Sequence, residues 1–204
     1  MSCNALKCVR QRGMSMIELL TVMTILGIVI VAVAPGIGAQ LRNAQIRNAA
    51  DAMMAGVERA RAEAIRRNER VRFSLVSDLG GACVLSSTAG SWVVSLDDPT
   101  DNCDSPAGET SFPRTIAVHN AADGNAAAQV LATRADGTTA ATSITFNAFG
   151  RPIDGNQLGR MVFSSPVSPA ENRSYRVQIS PAGGVRMCDL QVSQSSDDPR
   201  RCTS

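Results

Sequence analysis

Apolar residues run almost without interruption from Met14 to Ala34, and the pattern changes twice after that. As a helix these 21 residues would span about 31 Å, the thickness of a bilayer's hydrocarbon core. Pro35, followed by Gly36 and Gly38, predicts a kink or local melting, because proline removes one helical hydrogen bond. Helical spacing then resumes. Ile46, Ala49, Met53, Val57, Ala60 and Ala64 recur every three or four positions and make one apolar face. Asn68 marks the stop. The prediction is one long helix over about residues 15 to 67, its second half lying against a globular domain.

From Arg70 the period becomes two. Val71, Phe73 and Leu75 alternate with Arg70, Arg72 and Ser74, the signature of a half-buried strand. Further strand candidates are Cys83–Leu85, Trp92–Leu96, Thr115–His119, Val130–Thr133, Ser143–Asn147, Met161–Ser164, Tyr175–Ser180 and Val185–Asp189, with polar loops at 97–113 and 120–128. A helix packed on antiparallel strands is the α+β class. The predicted organisation is a leader (1–13), an apolar helix (14–34), an amphipathic helix (35–68), a β-rich domain (69–192) and a polar tail (193–204).

Charge sharpens the picture of the N-terminus. The leader carries Lys7, Arg10 and Arg12 and no acid; beyond it lie 17 basic and 18 acidic residues, and every positive charge there is arginine. Basic residues ahead of an apolar run keep the leader cytoplasmic and send the rest across. Three readings fit. A cleaved secretory signal has such a start, and Ala32-Val33-Ala34 resembles its cleavage site, although Pro35 follows directly. A plain anchor accounts for the length. Neither accounts for Glu18, since a carboxylate within a membrane costs roughly 2.5–3.5 kcal/mol or more and usually has a partner.

Arg-Gln-Arg-Gly13, then Met14-Ser15-Met16-Ile17-Glu18-Leu19-Leu20, resembles the class III signal of type IV prepilins. The resemblance implies that a prepilin peptidase cuts after Gly13 and that the new N-terminal residue, Met14, is methylated. Met14 departs from the phenylalanine usual there. It also implies a glutamate fifth in the mature chain, which is Glu18, and a proline near position 22, which is Pro35. Glu18 would then pair with the N-terminal amine of a neighbouring subunit inside an apolar bundle, fixing register more than adding stability.

"RNAADAMMAGVERARAEAIRRNERV" (47–71), "ITFNAFGRP" (144–152) and "YRVQISPAGGVRMC" (175–188) are similar to segments of the FimT/GspH group of minor pilins and type II secretion pseudopilins. That likeness implies a β-sandwich-like domain on the helix. It also implies partners: the prepilin peptidase, other pilins or pseudopilins, an inner-membrane assembly platform, and membrane lipid before assembly. The implied location is the inner membrane, single-pass with the globular domain periplasmic, and then a pilus or pseudopilus.

Cys3 and Cys8 belong to the leader. Cys83, Cys103, Cys188 and Cys202 are even in number, widely spaced and without a C-x-x-C pair, and His119 is the only histidine. No metal or other cofactor is expected from such spacing. Disulfides in an oxidising compartment fit better than free thiols. Of three possible connectivities, Cys83–Cys103 with Cys188–Cys202 is favoured because each closes a local loop.

Catalysis finds no support: there is no Ser-His-Asp arrangement, no G-x-S-x-G elbow and no phosphate-binding glycine loop. Asp97-Asp98-Pro99-Thr100-Asp101 lacks EF-hand spacing and reads as a solvated loop. Between Arg42 and Arg72, eight arginines face Asp51, Glu58, Glu63 and Glu69, either a solvated helix face with pairs such as Glu63–Arg67 or a contact for an acidic neighbour or DNA. A second group is Arg173, Arg176, Arg186, Arg200 and Arg201. In the FimT-like branch, arginines after the glycine of the last strand region are linked to DNA uptake. Gly184-Val185-Arg186 keeps one of them, which makes Arg186, Arg200 and Arg201 the DNA candidates of the alternative reading.

Overall fold

The computed structural model describes residues 14–108, 110–123, 128–153, 157–167 and 172–202, without the side chains of 32–37. The predicted leader, including Gly13, lies outside the described residues, as do the side chains of Ala32-Val33-Ala34 and Pro35. The chain divides into two units, Met1–Gly38 and Ala39–Ser204.

Helix α1 covers Met16–Arg67. The helix continues across Pro35, so the local melting expected there is not seen. One lost backbone bond does not by itself end the helix. Its end is a Schellman cap: Asn68 takes the left-handed conformation (φ 55°), its amide donates to Ile65 O, and Glu69 N donates to Ala64 O, each at 3.3 Å. Asparagine tolerates that backbone region better than other side-chain-bearing residues.

Eight strands follow: β1 (Val71–Val76), β2 (Ser91–Ser95), β3 (Thr115–His119), β4 (Gln129–Thr133), β5 (Ser143–Phe146), β6 (Arg160–Ser164), β7 (Tyr175–Ile179) and β8 (Val185–Asp189). They form two antiparallel sheets, ordered β3-β2-β1-β5 and β4-β6-β7-β8. The fold is α+β. Inward residues of both sheets, among them Phe73, Trp92, Ile144, Phe146, Met161, Phe163 and Val177, share one core with the Ile46–Ala64 face of α1. At Gly56 an added Cβ would sit 2.8 Å from both a Phe73 and a Trp92 ring carbon. The glycine is what lets those rings reach the helix backbone.

Two expectations fail for one reason. Cys83–Leu85 is no strand and contributes a single bridge, Val76 to Leu85. β1 is not half-buried either, since Ser74 is as buried as Phe73. The β1–β2 and β2–β3 loops fold over the second face of the sheet, where Val76, Val93, Cys83 and Cys103 form a small separate core.

Candidate functional site

The apolar helix presents a surface that no described part of the chain covers. Ser15 O accepts from Glu18 N (3.0 Å) and Leu19 N (3.1 Å), which puts Glu18 in the first turn of α1. A carboxylate there is favoured by the helix dipole, by roughly 0.3–1 kcal/mol at an exposed position. All residues from Met14 to Val31 are exposed; Met16 is 84 % and Val31 75 % accessible. The two threonine hydroxyls within the stretch are satisfied inside the helix, Thr21 Oγ1 donating to Glu18 O (2.9 Å) and Thr24 Oγ1 to Leu20 O (3.0 Å). An apolar face of this extent, with its polar donors turned inward, is an interaction surface rather than a solvated one. No helix among the described residues is long and apolar enough to cross a membrane; the side chains described for the apolar stretch end at Val31, short of the span expected to reach Ala34.

Both disulfides lie in the Ala39–Ser204 unit. Cys83 is bonded to Cys103 and Cys188 to Cys202. The first joins the β1–β2 loop to the β2–β3 loop over the second face of β1 and β2. The second holds the C-terminal tail along the outer edge of β8, where Asp189 N donates to Arg200 O (2.8 Å) and Asp189 bridges Arg201 in parallel. The edge of the second sheet is thereby closed.

The C-terminal arginines, among them the candidates Arg186, Arg200 and Arg201, make contacts within the tail. Arg186 donates to Pro199 O and to Arg201 O. Arg201 donates to Gln194 O and Ser196 O. Arg200 is paired with Asp198 at 2.6 Å, and that hydrogen bond holds the Asp198 carboxyl down at about 2. Arg173 pairs with buried Asp189 at 2.8 Å. These guanidiniums fasten the tail through one or two of their nitrogens each. On α1, Glu63 accepts from both Arg66 and Arg67, which lowers its pKa, and Arg61 donates to Gly150 O (3.1 Å).

The acidic loop is equally occupied. Arg114 makes two 2.8 Å bonds to Asp97 and Arg72 reaches Asp98 at 2.9 Å; both carboxyls are held below their ordinary pKa, Asp97 chiefly by the Arg114 hydrogen bond and Asp98 by its Thr100 and Arg72 contacts against the opposing effect of burial. No group of three or more metal-ligating side chains occurs among the described residues. His119 stacks on Trp92, ring centroids 5.5 Å apart. The sequence pointed to Arg176 but not to Arg160, which register brings onto the same sheet face; alternation within "RMVFS" (160–164) was the available signal.

A family model described as the type II transport protein GspH matches residues 49–183. The chain belongs to the GspH family. A second model, the prokaryotic N-terminal methylation motif, matches residues 8–34, which makes this GspH-family chain a GspH/FimT-like minor pilin or pseudopilin with a prepilin-type signal. The family is one of structural pilin subunits, not enzymes. No curated protein matches the chain. Two crystal structures of the type IV minor pilin FimU of Pseudomonas aeruginosa (strain PAO1) are similar to it. The form in space group P65 is 14% identical with a TM-score of 0.44, covering 71% of this chain and 97% of that chain. The P21 form is 17% identical with a TM-score of 0.42, covering 72% and 92%.

Proposed function

We propose that the chain is made as a prepilin, cut after Gly13 by a prepilin peptidase, methylated at Met14, and held in the inner membrane by residues 14–34 with its β-rich domain in the periplasm. It is then drawn by an inner-membrane assembly platform into a type IV pilus or a type II secretion pseudopilus, where it contacts other pilins or pseudopilins. The observation that carries this is the exposed apolar helix with an acid in its first turn, within the matched methylation motif. Glu18 has no side-chain partner among the described residues. In an apolar bundle a lone carboxylate is strongly unfavourable, and the N-terminal amine of a neighbour supplies the missing charge.

Mass spectrometry of the purified N-terminus tests the processing. A methylated Met14 is expected; a chain starting at Pro35 would mean an ordinary secretory signal, and a retained Met1 in peptidase-competent cells a simple anchor. Glu18→Ala keeps the apolar span and removes the acid. It should be cleaved and stay in the membrane, yet appear in sheared filaments at less than about a tenth of the wild-type level, since losing one member of a buried pair costs about 3–5 kcal/mol. Equal incorporation would sink the pairing.

A further inference from the structure

Cross-strand register places two rows of side chains on the outer face of the second sheet. Thr133, Arg160, Gln178 and Arg186 lie in one row; Leu131, Val162, Arg176 and Cys188 lie in the next. Arg160 and Arg176 are therefore diagonal neighbours, close enough for long side chains to interact. Arg176 registers this: burial, and then the charge of Arg160, pull its pKa below the ordinary arginine value. Its Nε is buried without a hydrogen-bond partner.

The surrounding arginines differ. Arg173 and Arg200 have carboxylates, and Arg186 and Arg201 have tail carbonyls. Among the described residues Arg160 and Arg176 have neither. A shallow cavity of about 320 Å³ opens beside Arg160, with Gln178, Ser180, Gly184 and Arg186 around it and no acid in its lining. Two adjacent cations, one of them partly desolvated, cost free energy that a bound anion would return.

We propose that this face docks a carboxylate-bearing segment of a neighbouring protein subunit, with Arg160 and Arg176 receiving the carboxylates and Leu131 and Val162 forming an apolar floor beside them. Guanidinium forks match carboxylate geometry. Leu131 is 53 % accessible, and arginine beside aliphatic surface is the composition of a protein interface. Nucleic acid fits less well, because the outward positions of these strands carry no aromatic side chain on which a base could stack. This deepens the subunit reading and rests on it only for where the partner is met.

The test uses the full mature chain in detergent micelles, titrated at low salt with a fluorescein-labelled peptide of alternating glutamate and valine. A labelled oligothymidylate of equal charge is the competitor. The peptide should bind saturably. Arg160→Gln and Arg176→Gln should each weaken it about tenfold, the scale of a lost hydrogen bond to a charged group, while Arg59→Gln leaves it unchanged. Arg176→Gln should melt no lower than wild type, since it removes a like-charge contact; lost binding is thereby separated from lost folding. Absence of saturable binding, wild-type affinity in either variant, or displacement of the peptide by oligothymidylate at equal concentration would overturn the proposal. Incorporation into sheared filaments is scored separately. A wild-type chain that binds the peptide but is missing from filaments would count against the subunit reading and leave this surface standing.

Discussion

Gly56→Ala should destabilise the domain although it replaces a poor helix former with the best one. Alanine in a helix interior is favoured over glycine by roughly 0.5–1 kcal/mol. Against this, the new methyl carbon would lie 2.8 Å from Phe73 Cε2, 2.8 Å from Trp92 Cε2 and 2.9 Å from Trp92 Cζ2. Carbon atoms prefer about 3.5–4.0 Å, so the overlap approaches 1 Å on two rigid rings. Those rings contact each other at 5.6 Å between centroids and are buried, so neither can swing aside. Overpacking of this kind costs about 1–3 kcal/mol, which leaves a net loss of about 1 kcal/mol and a melting temperature lower by about 2–4 °C for a unit of this size. Trp92 is the only tryptophan, so its fluorescence reports the melt directly from the site. The control is the exposed neighbour: Ala55→Gly should lower stability by about 1 kcal/mol through helix propensity alone. If Gly56→Ala instead raised the melting temperature, the rings would have room and the stated packing would be wrong.

Under denaturing, non-reducing conditions the processed chain should show almost no reactive thiol, and four thiols in periplasm-derived protein would refute the two bridges. With loops of 20 and 14 residues in sequence separation, removing either bridge should cost about 3 kcal/mol on a chain-entropy estimate, with limited proteolysis after reduction cutting the tail first. Changing Arg186, Arg200 and Arg201 to Gln together should likewise speed proteolysis of residues 193–202 and leave any duplex-DNA retention at 20 mM salt unaltered; lost DNA retention with an intact tail would restore them as a phosphate site. Asp198 should titrate near 2 by NMR. Its folded pKa lies below the unfolded value, so its contribution is present above about pH 4 and fades as the pH falls toward 2, and Arg200→Gln should move it back up.

The helix was legible because its signals are local. An apolar face every three or four residues and an asparagine able to take a left-handed cap locate the Arg67 end without reference to anything distant. Most strands were legible from alternation for the same reason. Partition of the strands between sheets was not, because β5 returns to β1 while β4 leaves for the second sheet, and that choice is made by long-range packing. Ser74 shows the limit most clearly. Its polar side chain marks an outward position, and only the loop closed by Cys83–Cys103 makes that position buried. The tail contact of Arg186 was hidden similarly, because its acceptor, Pro199 O, lies thirteen residues later and no local pattern announces it.

Beyond the leader every basic residue is arginine, and the geometry uses the fork rather than the charge alone. Arg114 grips both oxygens of Asp97. Arg66 places two nitrogens on one Glu63 oxygen while Arg67 takes the same oxygen from the next turn position. Arg72 divides its fork between Asp98 and Ser143, joining a loop to β5. Lysine offers its donors from a single, more strongly hydrated nitrogen and has no planar fork. The Arg114 and Arg72 forks cross between segments that the backbone alone does not join, which helps a domain of short strands keep its loops in place. Arg160 and Arg176 have the same forks on the same kind of surface with no carboxylate or carbonyl among the described residues to receive them. On a subunit whose apolar helix already implies neighbours, the acceptor belongs to one of those neighbours.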